Sequence, residues 1–175
     1  LTKLYNRRYF FPESDYLLKQ ARGSHTSISL VTLDIDHFKR INDTHGHASG
    51  DHVIRHLAKT LKEDSRTIDL IARLGGEEFV VLLPGANLME AGQFAERIRC
   101  AVQVLEVTSS IGETIQVTVS IGVAEIDTTQ ESIESALARA DGALYEAKES
   151  GRNRVCQAEP AMVSSIEALA DCVSD

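Results

Sequence analysis

The hydrophobic pattern divides the chain into short alternating runs and longer helical ones. Residues 28–36, "ISLVTLDID", alternate with a period of two. As a strand they put Val31, Leu33 and Ile35 on one face and Asp34 and Asp36 on the other. Residues 68–74 and 79–83 are two more strands around Gly75-Gly76, which reads as a tight turn, and Pro84-Gly85 closes the second. Residues 115–123 carry Ile115, Val117, Val119, Ile121 and Val123 on one face of a fourth strand. Helical spacing marks residues 5–21, then Val53, Ile54, Leu57, Ala58 and Leu61 in residues 51–62. It recurs in Ala91, Phe94, Ile98, Ala101 and Leu105 behind an Asn87 cap, and in Ile133, Leu137, Ala140, Leu144 and Ala147 up to Gly151. "HFKRIND" reads as a short helix or turn, "THGHASGD" as a polar loop, and residues 154–157 as a short last strand.

The resulting order, α-β-α-α-β-β-α-β-α-(β), predicts an α+β fold: a central, mostly antiparallel sheet flanked by helices, which the pattern alone places on one side. Its expected extent is 1–157. Residues 158–175, rich in Ala, Ser and Glu, read as a tail that is helical, part of a tag or partner segment, or disordered.

Composition narrows the function. The 175 residues suit one domain, and 43% apolar content is enough for a core. A net charge of -8 argues against binding a nucleic-acid backbone but leaves room for a single nucleotide held through metal ions. No apolar run is long enough to span a membrane, and no secretory signal is visible. The chain starts at Leu1, which reads as a piece of a longer protein. Cys100, Cys156 and Cys172 form neither a zinc pattern nor a disulfide framework, which suits a reduced cytoplasm.

Two acids sit side by side in Gly75-Gly76-Glu77-Glu78. Asp34 lies at a strand end, and if its strand neighbours the hairpin, Asp34 and Glu77 can converge as ligands for a hard cation such as Mg²⁺. Residue type alone favours a solvated corner, because most Asp and Glu are exposed. His45, His47, His52 and His56 fall within twelve residues; His52 and His56, at i and i+4, have zinc spacing but no supporting cysteine or H-E-x-x-H pattern. Lys148 and Arg152 suit either phosphate or the carbonyls of a helix C-terminus. Arg66 and Asp69 suit either an anion-binding fork or a surface ion pair.

Taken in order, "LTKLYNRRYF", "DIDHFKRINDTHGHASGD", "RTIDLIARLGGEEF", "TVSIGVA" and "ADGALYEAKESGRNRV" resemble the GGDEF domain of diguanylate cyclases. The resemblance covers residues 1 to about 155. It implies a fold related to the nucleotidyl cyclase and polymerase palm, and condensation of two GTP into cyclic di-GMP with release of two pyrophosphates. It implies metal ligation by Asp34, Glu77 and the Ile35 carbonyl, with two Mg²⁺ (or Mn²⁺) per GTP. Glu77 is also the candidate base, and Glu78 either a second-metal ligand or a positioning group for the hairpin. Asn42, His47 and Asp51 match substrate-binding positions; an Asp51 acceptor suits the N1–H and N2–H₂ donors of guanine. Lys39 matches a lysine that stabilises phosphate charge, and Lys148 and Arg152 match a clamp on the distal phosphates. Gly75 and Gly76 would admit the nucleotide close to the backbone.

The resemblance also implies a catalytic homodimer governed by an N-terminal sensor or receiver domain. It implies a product-inhibition site for cyclic di-GMP at Arg66, Asp69 and Arg97. The signature reads GGEEF, a variant that the family also uses, and Lys3 and Tyr5 depart from its common glycine and proline. Two alternatives stay open: a catalytically dead receptor for cyclic di-GMP or GTP, and a cyclase making a mixed dinucleotide, which Asp51 disfavours.

Overall fold

The computed structural model describes residues 1–109 and 112–161. In chain order they form β1 (Tyr5–Asn6), α1 (Arg7–Ser24), β2 (Ile28–Ile35), α2 (Phe38–His45), α3 (His47–Asp64), β3 (Leu70–Gly75) and β4 (Glu78–Pro84). Then follow α4 (Leu88–Gln103), β5 (Val107–Thr108), β6 (Thr114–Ile115), β7 (Val119–Glu125), α5 (Ile133–Glu149) and β8 (Val155–Gln157). The main sheet has the order β1-β3-β4-β2-β7-β8. Its three inner pairings are antiparallel, and only the edge strands β1 and β8 pair in parallel. The α+β architecture with a mostly antiparallel sheet is the one expected.

The helices, however, cover both faces rather than one. Val31, Leu33 and Ile35 pack with α2, α3 and α4, whereas Ile28 and Leu30 pack with Phe10 and Leu18 of α1 and Ala136 and Ala140 of α5. All eight residues of β2 are therefore buried. A strand covered on both sides reads as a near-continuous apolar run, which "ISLVTLDI" is. Gly122 lets α5 lie close on β7, because a Cβ there would collide with the backbone at Ala140 and Leu144.

Local differences from the sequence reading have physical causes. Tyr5 and Asn6 pair with β3 instead of opening a helix; the Asn6 side chain accepts from Tyr9 N–H, so α1 starts after it. The expected polar loop shrinks to Gly46, whose φ of +80° lets α2 turn straight into α3. The expected strand over 115–123 is interrupted, with β6 pairing with β5 in a separate small ribbon and β7 joining the main sheet. Its apolar residues still share one core. Asn87 caps α4 as expected, accepting from Glu90 N–H while the Glu90 carboxylate accepts from Asn87 N–H. The expected tail lies, from residue 162 onward, outside the described residues.

Candidate active site

Two adjacent antiparallel strands bring the acids together. β2 and β4 pair with Asp34 opposite Glu78, and Glu77 sits at the tip of the β3–β4 hairpin. Asp34 is buried, at 7% exposure. Burial pushes its carboxyl above the usual carboxylate value, Lys148 pulls it down, and Glu77 and Glu78 push it up again. The Lys148 ammonium stands 2.9 Å from Asp34 Oδ1. A carboxylate disfavoured as an anion by burial and by two further acids is a site that favours a cation. The donor set, hard oxygens beside the end of β2 at Ile35, fits Mg²⁺. Among the described residues no three His, Cys, Asp or Glu side chains form a complete metal cluster. A metal here would thus take further oxygens from backbone, substrate phosphate or water, as Mg²⁺ commonly does.

The hairpin tip differs from the expected Gly-Gly turn. Gly75 is the last residue of β3 and faces Glu78, so the turn itself is Gly76-Glu77. Neither Gly75 nor Gly76 has positive φ. The glycines are therefore not needed for turn geometry. A Cβ at Gly76 would meet nothing within 4 Å, so no neighbour within the domain demands glycine there either. Arg73 braces the tip, donating from Nε and Nη2 to the Gly76 carbonyl at 2.9 and 2.6 Å. The sequence reading passed over Arg73.

Next to Asp34 the chain bends through His37, with φ of 56°, into α2. No side chain caps α2, so its first-turn N–H groups have no side-chain acceptor. Lys39 is exposed on this same turn. Asn42 packs against α3 at Gly50, where a Cβ would collide with Asn42 Oδ1. Gly50 precedes Asp51, so the close approach of the two helices brings Asn42 to the Asp51 end of α3. His47 opens α3 and is exposed. The zinc spacing of His52 and His56 is spent locally: His56 Nδ1 meets the His52 carbonyl at 2.8 Å.

Lys148 and Arg152 flank the C-terminal end of α5. Lys148 is committed to Asp34 rather than to the helix carbonyls. Arg152 and Asn153 form a turn with φ of 62° and 45°. Asp36, two residues after Asp34, holds that turn: it accepts from Thr118 and Ser120 hydroxyls and from Asn153 N–H. Its partners lie 82 to 117 residues away, which is why sequence spacing could not find them. Asp141 was also missed; burial pushes its carboxyl up, and Glu78 adds to that.

Arg66, Asp69 and Arg97 lie elsewhere, around a cleft of about 190 Å³ shared with Glu90, Gln93 and Phe94. Asp69 has a side chain only 1% exposed, gripped by the Arg66 guanidinium at 2.7 Å, and Arg66 also donates to the Pro84 carbonyl. This is more than a loose surface pair. Arg97 lies over the Phe94 ring at 5.6 Å. β4 runs from Glu78 at the acids to Pro84 at this cleft, six residue steps, or roughly 20 Å.

The arrangement matches known proteins closely. The model of the family "Diguanylate cyclase, GGDEF domain" matches residues 1–154. The response regulator PleD of Caulobacter vibrioides is 46% identical over 89% of this chain, which covers 34% of PleD. The crystal structure of the GGDEF domain of DgcB from Caulobacter crescentus, in complex with c-di-GMP, superposes with a TM-score of 0.86 at 41% identity, covering 90% of each chain. An active GGEEF domain of a diguanylate cyclase from Vibrio cholerae, which has the same variant signature, gives 0.83 at 31% identity over 91% of this chain and 100% of that one. The chain spans less than half the length of the curated relatives it matches. From its hairpin signature to its sheet, the chain belongs to the GGDEF family of diguanylate cyclase domains.

Proposed function

We propose that residues 1–157 form a catalytic domain that condenses two GTP into cyclic di-GMP, releasing two pyrophosphates. The observation that carries this reading is the meeting of Asp34 with the Glu77-Glu78 hairpin across β2 and β4, beside Lys148. The PleD and DgcB likenesses and the active GGEEF domain of Vibrio cholerae support it.

In this reading Asp34, Glu77, Glu78 and the Ile35 carbonyl hold two Mg²⁺ (or Mn²⁺) per GTP. When bound, the metal neutralises phosphate charge and makes the attacking 3′-hydroxyl more acidic. The chain's own residues do the rest. Asp51 accepts from guanine N1–H and N2–H₂, Asn42 reads the same edge, and His47 borders the nucleotide. The uncapped start of α2 donates N–H groups to phosphate. Lys39 offsets charge that develops on the transferring phosphoryl group, and Lys148 and Arg152 grip the distal phosphates. Gly75 and Gly76 let the nucleotide approach the hairpin. Glu77 takes the proton of the 3′-hydroxyl of the facing GTP.

One domain offers one such site, so the reaction requires a homodimer, arranged in the longer protein by an N-terminal sensor or receiver domain. Cyclic di-GMP binds Arg66, Asp69 and Arg97 and slows turnover from that distant cleft. Such chemistry on GTP belongs in the cytoplasm; no helix among the described residues is long and apolar enough to cross a membrane.

Turnover measured against domain concentration tests the arrangement. The rate per domain should rise with concentration and rise further when the domains are fused to a dimerising coiled coil. A rate per domain that is constant at high dilution would overturn the requirement for two domains.

A further inference from the structure

Asp36 ligates no metal and touches no nucleotide in the proposed mechanism, yet it is built into the site. It lies two residues past Asp34 and is 4% exposed. Its Oδ2 accepts from Thr118 Oγ1 at 2.7 Å and from the Asn153 backbone N–H at 3.0 Å, and its Oδ1 accepts from Ser120 Oγ at 2.7 Å. The turn it grips is unusual. Arg152 and Asn153 are both non-glycine residues with positive φ, a backbone state that persists only where its surroundings over-determine it.

A second restraint reaches the turn from α4. Arg99 donates from Nη1 to Asn153 Oδ1 at 2.8 Å. Arg99 is itself fixed, because Glu96 accepts from its Nε and Nη2 at 2.9 and 2.6 Å. Its side chain is only 14% exposed, although it is a surface helix residue. A third bond, from Arg152 N–H to the Ala147 carbonyl at 3.0 Å, closes the turn onto α5 beside Lys148. Asp36 and Arg99 thus both hold Asn153, one by its N–H and one by its side-chain oxygen.

We propose that Asp36 and Arg99 are positioning residues for phosphate binding: they lock the Arg152-Asn153 turn so that Arg152 is presented, next to Lys148, to the distal phosphates of the nucleotide. This rests on the reading of Lys148 and Arg152 as the phosphate clamp. It adds that the clamp's aim is set from α4 and from the end of β2, by residues that touch no nucleotide. An arginine can grip a phosphate through two parallel N–H bonds only if its approach direction is fixed, so losing either restraint should weaken the grip without touching the guanine contacts.

Arg99→Met tests the inference, since it keeps the stem and removes only the donors. The affinities of α,β-methylene-GTP and GMP, each with Mg²⁺, are measured by calorimetry in the wild type, Arg99→Met, Arg152→Ala and the double variant. Arg99→Met should weaken the triphosphate analogue about five- to tenfold, the loss expected for a disordered charge-assisted contact, and GMP less than twofold. Arg152→Ala should do the same, and the double variant should be no worse than Arg152→Ala alone, because Arg99 acts through Arg152. Asp36→Asn should retain most of the affinity: its amide oxygen still accepts from Asn153 N–H, and its NH₂ can donate to the Ser120 hydroxyl. Parallel loss of GMP and analogue in Arg99→Met, or independent losses in the double variant, would overturn the positioning role. Unchanged analogue affinity in Arg152→Ala would instead overturn the phosphate clamp itself.

Discussion

Gly50→Ala separates the stability of the domain from its recognition of guanine. An alanine Cβ at this position would collide with Asn42 Oδ1, and it would stand 3.0 Å from Asn42 Cγ and 3.2 Å from Phe38 Cζ. The first two atoms belong to the end of a side chain that can rotate, so the domain need not unfold. Driving Asn42 into another rotamer and crowding Phe38 costs on the order of 1–2 kcal/mol. Against this, alanine for glycine inside α3 gains about 1 kcal/mol of helix propensity. The two nearly cancel, and urea denaturation should show a change within about 1 kcal/mol. Nucleotide affinity has no such compensation. If Asn42 contacts guanine, displacing it forfeits a hydrogen bond worth about 1 kcal/mol, or roughly five- to tenfold in GTP affinity. Calorimetric titration of α,β-methylene-GTP into the wild type, Gly50→Ala, Asn42→Ala and the double variant reads this directly. Gly50→Ala and Asn42→Ala should weaken binding equally, and the double variant should match either one. In the Asn42→Ala background, alanine at Gly50 should cost less than in the wild type, because the collision with Asn42 is gone and only the Phe38 contact remains. A Gly50→Ala penalty of the same size in both backgrounds would refute the reasoning.

Further outcomes follow from the same geometry. Asp34→Asn and Glu77→Gln should each reduce cyclic di-GMP formation by at least about a hundredfold while the domain still unfolds cooperatively, read by chromatography and calorimetry. Arg66→Ala should relieve inhibition by added cyclic di-GMP; an unchanged inhibition curve would reject that cleft as the regulatory site. Arg139→Met leaves Glu131, whose side chain is 3% exposed, without its guanidinium partner. It should therefore destabilise the domain by about 3 kcal/mol in urea. The Asp34 carboxyl is raised by burial and held down by Lys148. Its contribution to stability is present below the ordinary value of 3.8 and is lost as pH rises through the raised value. Lys148→Met should move that loss to higher pH, which carboxyl NMR titration would follow; a downward move would contradict the pairing.

The sequence was most legible where chemistry and periodicity coincide. Asp34 could be placed at a strand end, and Glu77 at a hairpin tip, from alternation and glycine alone. Their convergence needed only that β2 neighbour β4. The glycines were legible as residues but not in their purpose: Gly50 admits Asn42, and Gly46, which looked like loop, joins two helices. The two-faced burial of β2 was written in Ile28 and Leu30, apolar residues out of phase with Val31, Leu33 and Ile35. Two-residue strands such as β1 have no periodicity to detect. Asp36 was the hardest case. It looks like Asp34 in sequence, and only its donors, Thr118, Ser120 and Asn153, make it a brace instead of an open ligand. Those donors come from β7, its approach and the turn after α5, so the distinction arises only once the sheet has formed.

Product analysis tests the central claim most directly. The domain, fused to a dimerising coiled coil, is incubated with GTP and Mg²⁺ and the mixture is resolved by anion-exchange chromatography. The account predicts cyclic di-GMP and pyrophosphate in a ratio of one to two, and neither product when Mg²⁺ is chelated. GTP that remains intact, while cyclic di-GMP still binds at Arg66 and Arg97, would contradict it and identify the domain as a receptor.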